Sequence, residues 1–167
     1  AIRTGIKYAQ KNNFDIIVVM AGDDQDVPKE LPIVVNPIIY DKFDFVQGSR
    51  RLYQKQVINI PLFRRITTKL YSWIFKIITG FPCTDGTNGF RAFTLEFTKD
   101  KRMNIEQDWL NTYELEPYLF YNAIKLGYRV KEVQVTKVYF KAVIGYTKMV
   151  PFKDWWNILK PLLYLKF

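Results

Sequence analysis

Apolar residues near the start of the chain follow first the spacing of a helix and then that of a buried strand. Ile2, Ile6 and Ala9 recur on one helix face, so residues 1–11 are predicted to form a helix. The β-branched run within residues 15–20 is typical of a parallel strand covered on both faces. A helix followed by such a strand indicates an α/β chain.

The same alternation continues to the end of the chain. The predicted helices cover residues 28–40, 61–79 and 113–126. The predicted strands cover residues 43–47 and 129–139. Pro32 and Pro37 kink or break the first of these helices. An amphipathic segment over residues 152–167, broken by Pro161, ends the chain.

Composition favours one globular domain and excludes several kinds of site. The 167 residues are 49% hydrophobic and 17% aromatic, enough for a core of ordinary size. Cys83 is the one cysteine and histidine is absent, which excludes an internal disulfide, a Cys/His metal cluster and the common histidine-dependent hydrolase sites. A metal must therefore bind oxygen ligands, and a general base must be a carboxylate, lysine or tyrosine.

Charge points to anionic partners. There are 25 lysines and arginines against 16 acidic residues, a net charge of 25 − 16 = +9, which favours nucleic acid, anionic lipid headgroups or phosphorylated small molecules. The sequence contains no apolar run long enough for a membrane span and no signal-peptide pattern, so it is expected to be cytosolic. The first residue is Ala1 and already has helical patterning, so the chain is expected to be cut from a longer one.

An acidic loop follows the first predicted strand. Asp23, Asp24 and Asp26 lie within four positions, next to Gln25, where open α/β sheets place their ligands. Mg²⁺ and Mn²⁺ bind carboxylate oxygens and share them with substrate phosphates. The alternative is a solvated turn in which Asp26 caps the next helix.

Basic residues concentrate between the second strand and the following helix. They are Arg50, Arg51, Lys55, Arg64, Arg65 and Lys69. Arginine suits bidentate phosphate binding, although most charge runs are solvated helix faces. The helix over residues 61–79 has Ile66, Leu70 and Ile74 on one side and is apolar over more than half its circumference. Such a helix packs in a core or lies in a bilayer interface.

Asp85 lies within the turn-rich loop over residues 80–91, beside Gly86 and Gly89. Glycines let the backbone approach a ligand closely, which makes Asp85 a candidate site residue. An ordinary Asp-Gly turn is the alternative.

Taken in order, five segments resemble family 2 glycosyltransferases, in the branch of dolichol-phosphate mannosyltransferase and bacterial polyprenyl-phosphate glycosyltransferases. The segments are 16–28 (an Asp-x-Asp-x-Gln-x-x-Pro-like motif), 45–50 (with Gly-Ser-Arg), 85–92 (Asp-Gly-Thr-Asn-Gly-Phe-Arg-Ala), 113–133 (a helix-to-strand passage) and 145–148 (Gly-Tyr-Thr-Lys). Five blocks in the family's order are more specific than any one of them.

The resemblance implies a GT-A fold, a Rossmann-like mixed sheet with flanking helices, here incomplete at the N-terminus. Residues 1–151 would form the C-terminal portion of the catalytic domain, and residues 152–167 an amphipathic, juxtamembrane segment. It also implies inverting transfer of a sugar from a nucleotide diphosphate, assisted by Mg²⁺ or Mn²⁺.

Site residues follow from the matching positions. Asp23 corresponds to the metal-binding aspartate of the motif and Gln25 to its glutamine, on the donor side. Lys148 corresponds to a cation near the donor pyrophosphate, and Asp85 to the carboxylate proposed as base. The residues expected to bind acceptor or donor phosphate are Arg50, Arg64, Arg65 and Arg91.

The sequence departs from the family pattern at three places. Ala21 replaces the first aspartate of the motif, and Asn88 replaces a serine. The Pro-x-Tyr-Asn-Glu-like and Asp-Asp-Gly-Ser-like segments that hold the base and ribose are not within these 167 residues. These residues alone are therefore expected to lack transferase activity.

The expected partners are a nucleotide-sugar donor, a lipid-phosphate acceptor and an anionic membrane surface, with the protein cytoplasmic and peripheral at the inner face of the membrane. Nucleic acid is not expected, because no nucleic-acid motif accompanies the basic residues. The alternative is a non-catalytic fragment that binds a membrane surface or another polyanion.

Overall fold

The computed structural model describes residues 1–53, 57–58, 62–111, 113–138 and 153–164. The helices in these ranges are α1 (Ile2–Lys11), α2 (Leu31–Ile39), α3 (Leu62–Thr79), α4 (Leu95–Thr98), α5 (Leu115–Lys125) and α6 (Lys153–Tyr164). The strands are β1 (Ile16–Val19), β2 (Phe45–Ser49), β3 (Val57–Ile58), β4 (Arg91–Thr94), β5 (Val130–Gln134) and β6 (Lys137–Val138). A 3₁₀ turn over Pro28–Glu30 leads into α2.

The main sheet is mixed, as predicted, with the strand order β1-β4-β2-β5. β4 is antiparallel to both of its neighbours, whereas β2 and β5 are parallel. β3 and β6 form a separate parallel pair. The parallel pairing expected for β1 is not found among the described strands, where β1 pairs with β4 alone and its residues are half-buried. A β-branched run favours a strand but does not encode its direction.

Both faces of the sheet are covered by apolar clusters. Each strand contributes to both clusters, because successive residues of a strand point to opposite sides. Phe45 and Phe93 face the larger core, where Phe45 stacks between Phe93 and Phe120 at ring-centroid distances of 5.6 and 5.5 Å. Val46 and Ala92 face the smaller core beneath α2. The result is a helix–sheet–helix arrangement with an aromatic centre.

Two helices contain a proline in their interior. Pro37 lies inside α2, and α6 continues through Pro161, so the predicted break at Pro161 is wrong. A proline costs its helix one hydrogen bond, but burial of Leu162 in the larger core and stacking of Tyr164 on Trp109 at 5.6 Å hold α6 in place.

Candidate active site

The end of β2 meets the loop before β4 at a buried ion pair. The Arg50 guanidinium donates from Nε to Asp85 Oδ2 at 2.5 Å and from Nη2 to Asp85 Oδ1 at 2.6 Å. The backbone N–H of Arg50 also donates to Asp85 Oδ2 at 3.1 Å. Asp85 is fully buried and Arg50 is 3% exposed. The ion pair therefore joins two of the sequence motifs, residues 45–50 and residues 85–92.

Burial and charge act in opposite directions on Asp85. Burial alone would raise its pKa, but the charge and hydrogen bonds of Arg50, with the charge of Arg51, outweigh that effect and lower the pKa below its ordinary range. The carboxylate therefore stays ionised at neutral pH. Both of its oxygens already accept hydrogen bonds from within the protein.

Glu132 on β5 holds the turn that carries Asp85. Its carboxylate accepts from the backbone N–H of Thr84 at 2.9 Å, from the Thr84 hydroxyl at 2.7 Å and from the backbone N–H of Asp85 at 3.1 Å. Burial raises the pKa of Glu132, and the hydrogen bonds from Thr84 and Asp85 oppose that rise. Glu132 is not among the site residues predicted from the sequence.

The floor beneath this pair is built from amides and one glycine. Gln47 donates through Nε2 to the Asn88 carbonyl at 2.8 Å, and Asn88 donates through Nδ2 to the Gly48 carbonyl at 3.0 Å. A Cβ on Gly48 would lie 2.6 Å from the Phe90 carbonyl oxygen, so no other residue fits there. Asn88, where the family pattern has serine, is thus a structural contact between β2 and the loop.

Arg91 is placed differently from its predicted role. It is 1% exposed and donates to the Glu116 carboxylate at 2.9 Å and to the Glu116 carbonyl at 2.8 Å. The predicted contact of Arg91 with a phosphate is not supported by this geometry, because the guanidinium faces α5 and the buried loop. Its role in the structure is to tie β4 to α5.

The acidic loop is fixed by Asp26. Asp26 is buried, accepts from the backbone N–H of Ala21 at 3.0 Å and pairs with Lys137 of β6 at 3.1 Å. Val27, not Asp26, is the N-cap of the following turn, so the capping interpretation is wrong. No local sequence pattern predicts the pairing of Asp26 with Lys137, because the two residues are 111 positions apart.

The remaining acidic residues lie nearer solvent. Asp23 is half-buried and its Oδ1 accepts from the backbone N–H of Gln25 at 3.2 Å. Asp24 is exposed in the left-handed conformation, with φ 58°. Gln25 is 4% exposed, and its carbonyl accepts from the backbone N–H of Val138 at 2.9 Å. In the described ranges, no three acidic or cysteine side chains come together as a ready-made metal site.

Arg51 connects the ion pair to α3. Its Nη2 donates to the Arg65 carbonyl at 3.2 Å and to the Thr68 hydroxyl. The Arg65 side chain itself is exposed. The side chain of Arg64 and the whole of Lys148 lie outside the described residues. Of the predicted phosphate-binding arginines, the structure therefore brings Arg50 and the backbone of Arg65 to one region.

α3 presents an exposed apolar stripe. Ile66, Leu70, Trp73 and Ile77 are 57%, 52%, 61% and 62% exposed, whereas Tyr71 and Phe75 are buried in the larger core. Cations flank the stripe at Arg65, Lys69 and Lys76, all exposed. Of the two alternatives for this helix, the side that carries Ile66 and Leu70 does not pack in the core, whereas the side that carries Tyr71 and Phe75 does. None of the described helices is long and apolar enough to cross a membrane.

Comparison with known proteins identifies relatives over most of the chain. No family model matches. The chain is 30% identical to UDP-N-acetylglucosamine--dolichyl-phosphate N-acetylglucosaminyltransferase of Methanococcus voltae over 158 residues, covering 93% of this chain and 62% of that protein. It is 27% identical to undecaprenyl-phosphate mannosyltransferase of Micrococcus luteus over 147 residues, covering 87% of this chain and 57% of that protein.

A solved structure shows the same fold. Glucosyl-3-phosphoglycerate synthase from Mycobacterium tuberculosis, crystallised with Mn²⁺, UDP and phosphoglyceric acid, superposes with a TM-score of 0.59 over 94% of this chain and 52% of that chain, at 13% identity. The chain shares the GT-A fold of this glycosyltransferase and is similar in sequence to two other glycosyltransferases. The resemblance drawn from the five sequence motifs is confirmed.

The chain spans 57–62% of the length of the two named relatives. An uncharacterized protein of Methanocaldococcus jannaschii is 32% identical over 139 residues, covering 83% of this chain and 56% of that protein. Both named relatives carry a prenyl phosphate in their names.

Proposed function

We propose that the protein is an inverting, metal-assisted family 2 glycosyltransferase that moves a sugar from a nucleotide-diphosphate sugar to a polyprenyl phosphate at a membrane surface. The observation that carries this proposal is the continuity between the arginines at the end of β2 and the exposed stripe of α3. The names of the two relatives, which act on dolichyl phosphate and undecaprenyl phosphate, agree with it.

Two neighbouring surfaces, one cationic and one apolar, match the two parts of a polyprenyl phosphate. A polyprenyl phosphate combines an anionic head with a long apolar tail. Arg51 donates a hydrogen bond to the Arg65 carbonyl of α3. Ile66, the first residue of the exposed stripe, follows Arg65 directly. We assign the phosphate to Arg65 with Arg64, near Arg50, and the first part of the tail to the stripe of α3.

The acidic loop fits a divalent cation on the donor side. Asp26 is engaged by Lys137 and by the Ala21 N–H, and Asp24 falls where the family pattern has a small residue. We therefore assign the metal to Asp23. One carboxylate completed by substrate phosphates is the usual arrangement for Mg²⁺, and Mn²⁺ is crystallised with UDP in the structural neighbour. Bound there, the ion would stabilise negative charge on the departing diphosphate. Gln25 and Lys148 are assigned to the same donor side.

The reaction forms a bond from an acceptor phosphate oxygen to the anomeric carbon and breaks the bond from that carbon to the donor diphosphate. Attack opposite the leaving group inverts the anomeric configuration. A lipid phosphate with a second pKa of about 6 is largely ionised at neutral pH, so it needs no proton removed. Asp85 then serves as a positioning residue for Arg50, which agrees with its full burial.

A transfer assay on the full-length protein tests the proposal. Labelled UDP- and GDP-sugars are incubated with a C55 polyprenyl phosphate in detergent, with Mg²⁺, Mn²⁺ or EDTA, and the lipid product is extracted. We expect a metal-dependent glycosyl lipid whose anomeric configuration, measured by NMR, is opposite to that of the donor. Vesicle binding without transfer from any donor would instead favour the non-catalytic, polyanion-binding alternative.

A further inference from the structure

We infer that Glu132 is a positioning residue of the transferase site, which clamps the Thr84–Asp85 turn and through it fixes the Arg50 guanidinium. The inference deepens the proposed function and rests on it for the consequence in turnover. The effect of Glu132 on the position of Arg50 can be tested without any transferase assay.

The clamp uses both carboxylate oxygens. Oε1 accepts from the backbone N–H groups of Thr84 and Asp85, each at 3.1 Å, while Oε2 accepts from the Thr84 hydroxyl at 2.7 Å and the Thr84 N–H at 2.9 Å. Two consecutive backbone N–H groups are thus held by one side chain from a strand 47 positions later. The orientation of the turn depends on β5 as well as on its own loop.

The clamp reaches Arg50 through two connections. Asp85, whose N–H is held by Glu132, accepts from Arg50 Nε, Nη2 and backbone N–H. Thr84, whose hydroxyl is held by Glu132, shares a 2.6 Å hydrogen bond with the Ser49 hydroxyl, one residue before Arg50. A shift of the turn would therefore displace both the backbone and the guanidinium at the end of β2.

An ionised carboxylate at this position is disfavoured by its surroundings, and its hydrogen bonds must offset that effect. Glu132 is half-buried, and both this burial and the nearby charge of Asp85 raise its pKa and so disfavour its ionised form. A glutamine of the same shape would avoid that repulsion, but its amide nitrogen cannot accept from the Thr84 and Asp85 N–H groups. The requirement for two accepting oxygens identifies the clamp as the function of this side chain.

The first test observes Arg50 directly. In ¹⁵N-labelled full-length protein, the Arg50 Nε–Hε signal is assigned by through-bond correlation to its side-chain carbons. In Glu132→Gln we expect this signal to shift or broaden and its exchange with water to accelerate, because the buried pair with Asp85 loosens. An unchanged Arg50 signal in a folded Glu132→Gln variant would overturn the inference, whatever the protein catalyses.

The chain offers a matched control. Glu30 holds Thr136 in the same way, accepting from its backbone N–H and from its hydroxyl, each at 2.7 Å. Glu30→Gln removes a similar clamp and a similar charge, but it leaves the Thr84–Asp85 turn intact. We expect it to leave the Arg50 signal in place. Equal disturbance by both variants would show a general loss of packing, not a specific positioning role.

The second test measures turnover, once transferase activity is in hand. We expect Glu132→Gln to lower kcat/KM by about 10- to 100-fold, the range expected for misplacement of a site group by about 1 Å. Adding Asp85→Asn to Glu132→Gln should cost little more than Asp85→Asn alone, since both act through Arg50. Fully additive losses, or a Glu132→Gln enzyme with normal kcat/KM, would contradict the positioning role. If the protein shows no transferase activity, the proposed function fails while the Arg50 signal still decides the clamp.

Discussion

The guanidinium of Arg50 faces the carboxylate of Asp85 through two parallel hydrogen bonds of 2.5 and 2.6 Å, both side chains being almost fully buried. Such a bidentate pair fixes the plane of the guanidinium as well as its position. Because the two residues come from different motif blocks, the pair sets the geometry between the end of β2 and the loop before β4.

Asp85→Asn tests the energetic weight of this pair. The substitution keeps the shape of the side chain but leaves the Arg50 charge buried without its partner, which costs about 3–5 kcal/mol in typical buried pairs. Denaturant unfolding at pH 7 measures the loss. Asp41→Asn is the matched control, since the Asp41–Lys131 pair is exposed and should change stability by less than about 1 kcal/mol. Equal stability of the two variants would contradict the prediction.

The pH dependence of the same pair has a definite sign. The pKa of Asp85 is lowered in the folded protein, so its contribution to stability is complete above the ordinary aspartate range near pH 4 and is lost as the pH falls through the folded pKa. The stability difference between wild type and Asp85→Asn should stay constant from pH 8 to about 5 and shrink in stronger acid. A difference that grows on acidification would refute the assignment.

The local part of the fold followed from sequence. The α1 and α5 elements have helical spacing and β1 has a β-branched run, and Gly127 ends α5 with φ 83° as its position predicts. β4 was not predicted, because it is four residues long, begins with the buried Arg91 and lies inside a motif dominated by glycines. Its central place in the sheet depends on pairing with β1 and β2, which local patterns do not encode.

The sequence predicts which positions belong to the candidate site, but not which side chains pair with one another. Asp23, Arg50 and Asp85 are predicted as site residues because loops at a sheet edge carry family motifs. That Arg50 pairs with Asp85, and Asp26 with Lys137, depends on contacts across 35 and 111 positions. Glu132 was overlooked as a site residue since a charged residue in an alternating strand normally faces solvent.

The Asp26–Lys137 pair makes a second stability prediction. Both side chains are buried, so Asp26→Ala leaves the Lys137 charge without its carboxylate and should destabilise the protein by about 3–5 kcal/mol. Asp26→Leu with Lys137→Met should recover most of that loss, since the apolar pair removes both buried charges. Thermal and urea unfolding of the single and double variants make the comparison. A double variant less stable than Asp26→Ala would show that the pair itself is required.

Asp23 and Asp24 should differ sharply in function. Asp23 is the half-buried carboxylate turned back over the loop toward the Gln25 N–H, whereas Asp24 is exposed in a left-handed turn, where the family pattern has a small residue. Asp23→Ala in the full-length enzyme should abolish Mn²⁺-dependent turnover, and Asp24→Ala should retain most of it. Transfer rates across a Mn²⁺ titration measure both. Equal losses would exclude Asp23 as the specific metal ligand.

The stripe of α3 predicts binding to anionic bilayers. Trp73 lies at its centre with 61% of its surface exposed, and aromatic and aliphatic side chains flanked by cations suit the headgroup layer. Trp73→Ala should weaken flotation with vesicles containing anionic lipid. Tyr40→Ala, which removes an aromatic ring that is 73% exposed next to α2, is the matched control and should leave binding unchanged.

Charge reversal separates the role of α3 from that of the overall charge. Each lysine or arginine near an anionic surface contributes about 1 kcal/mol, so Arg64→Glu with Arg65→Glu should weaken vesicle binding strongly and reduce its dependence on salt. Lys11→Glu with Lys99→Glu makes the same change in net charge at exposed positions away from α3 and should have a much smaller effect. Equal losses in the two double variants would mean that net charge, not the α3 surface, drives association. If binding falls only in the α3 variant, a second assay asks whether the same arginines also bind the acceptor phosphate. Transfer to a soluble short-chain polyprenyl phosphate is measured in detergent, where no bilayer is present. An increased KM for the acceptor in the α3 variant would assign the arginines that second role.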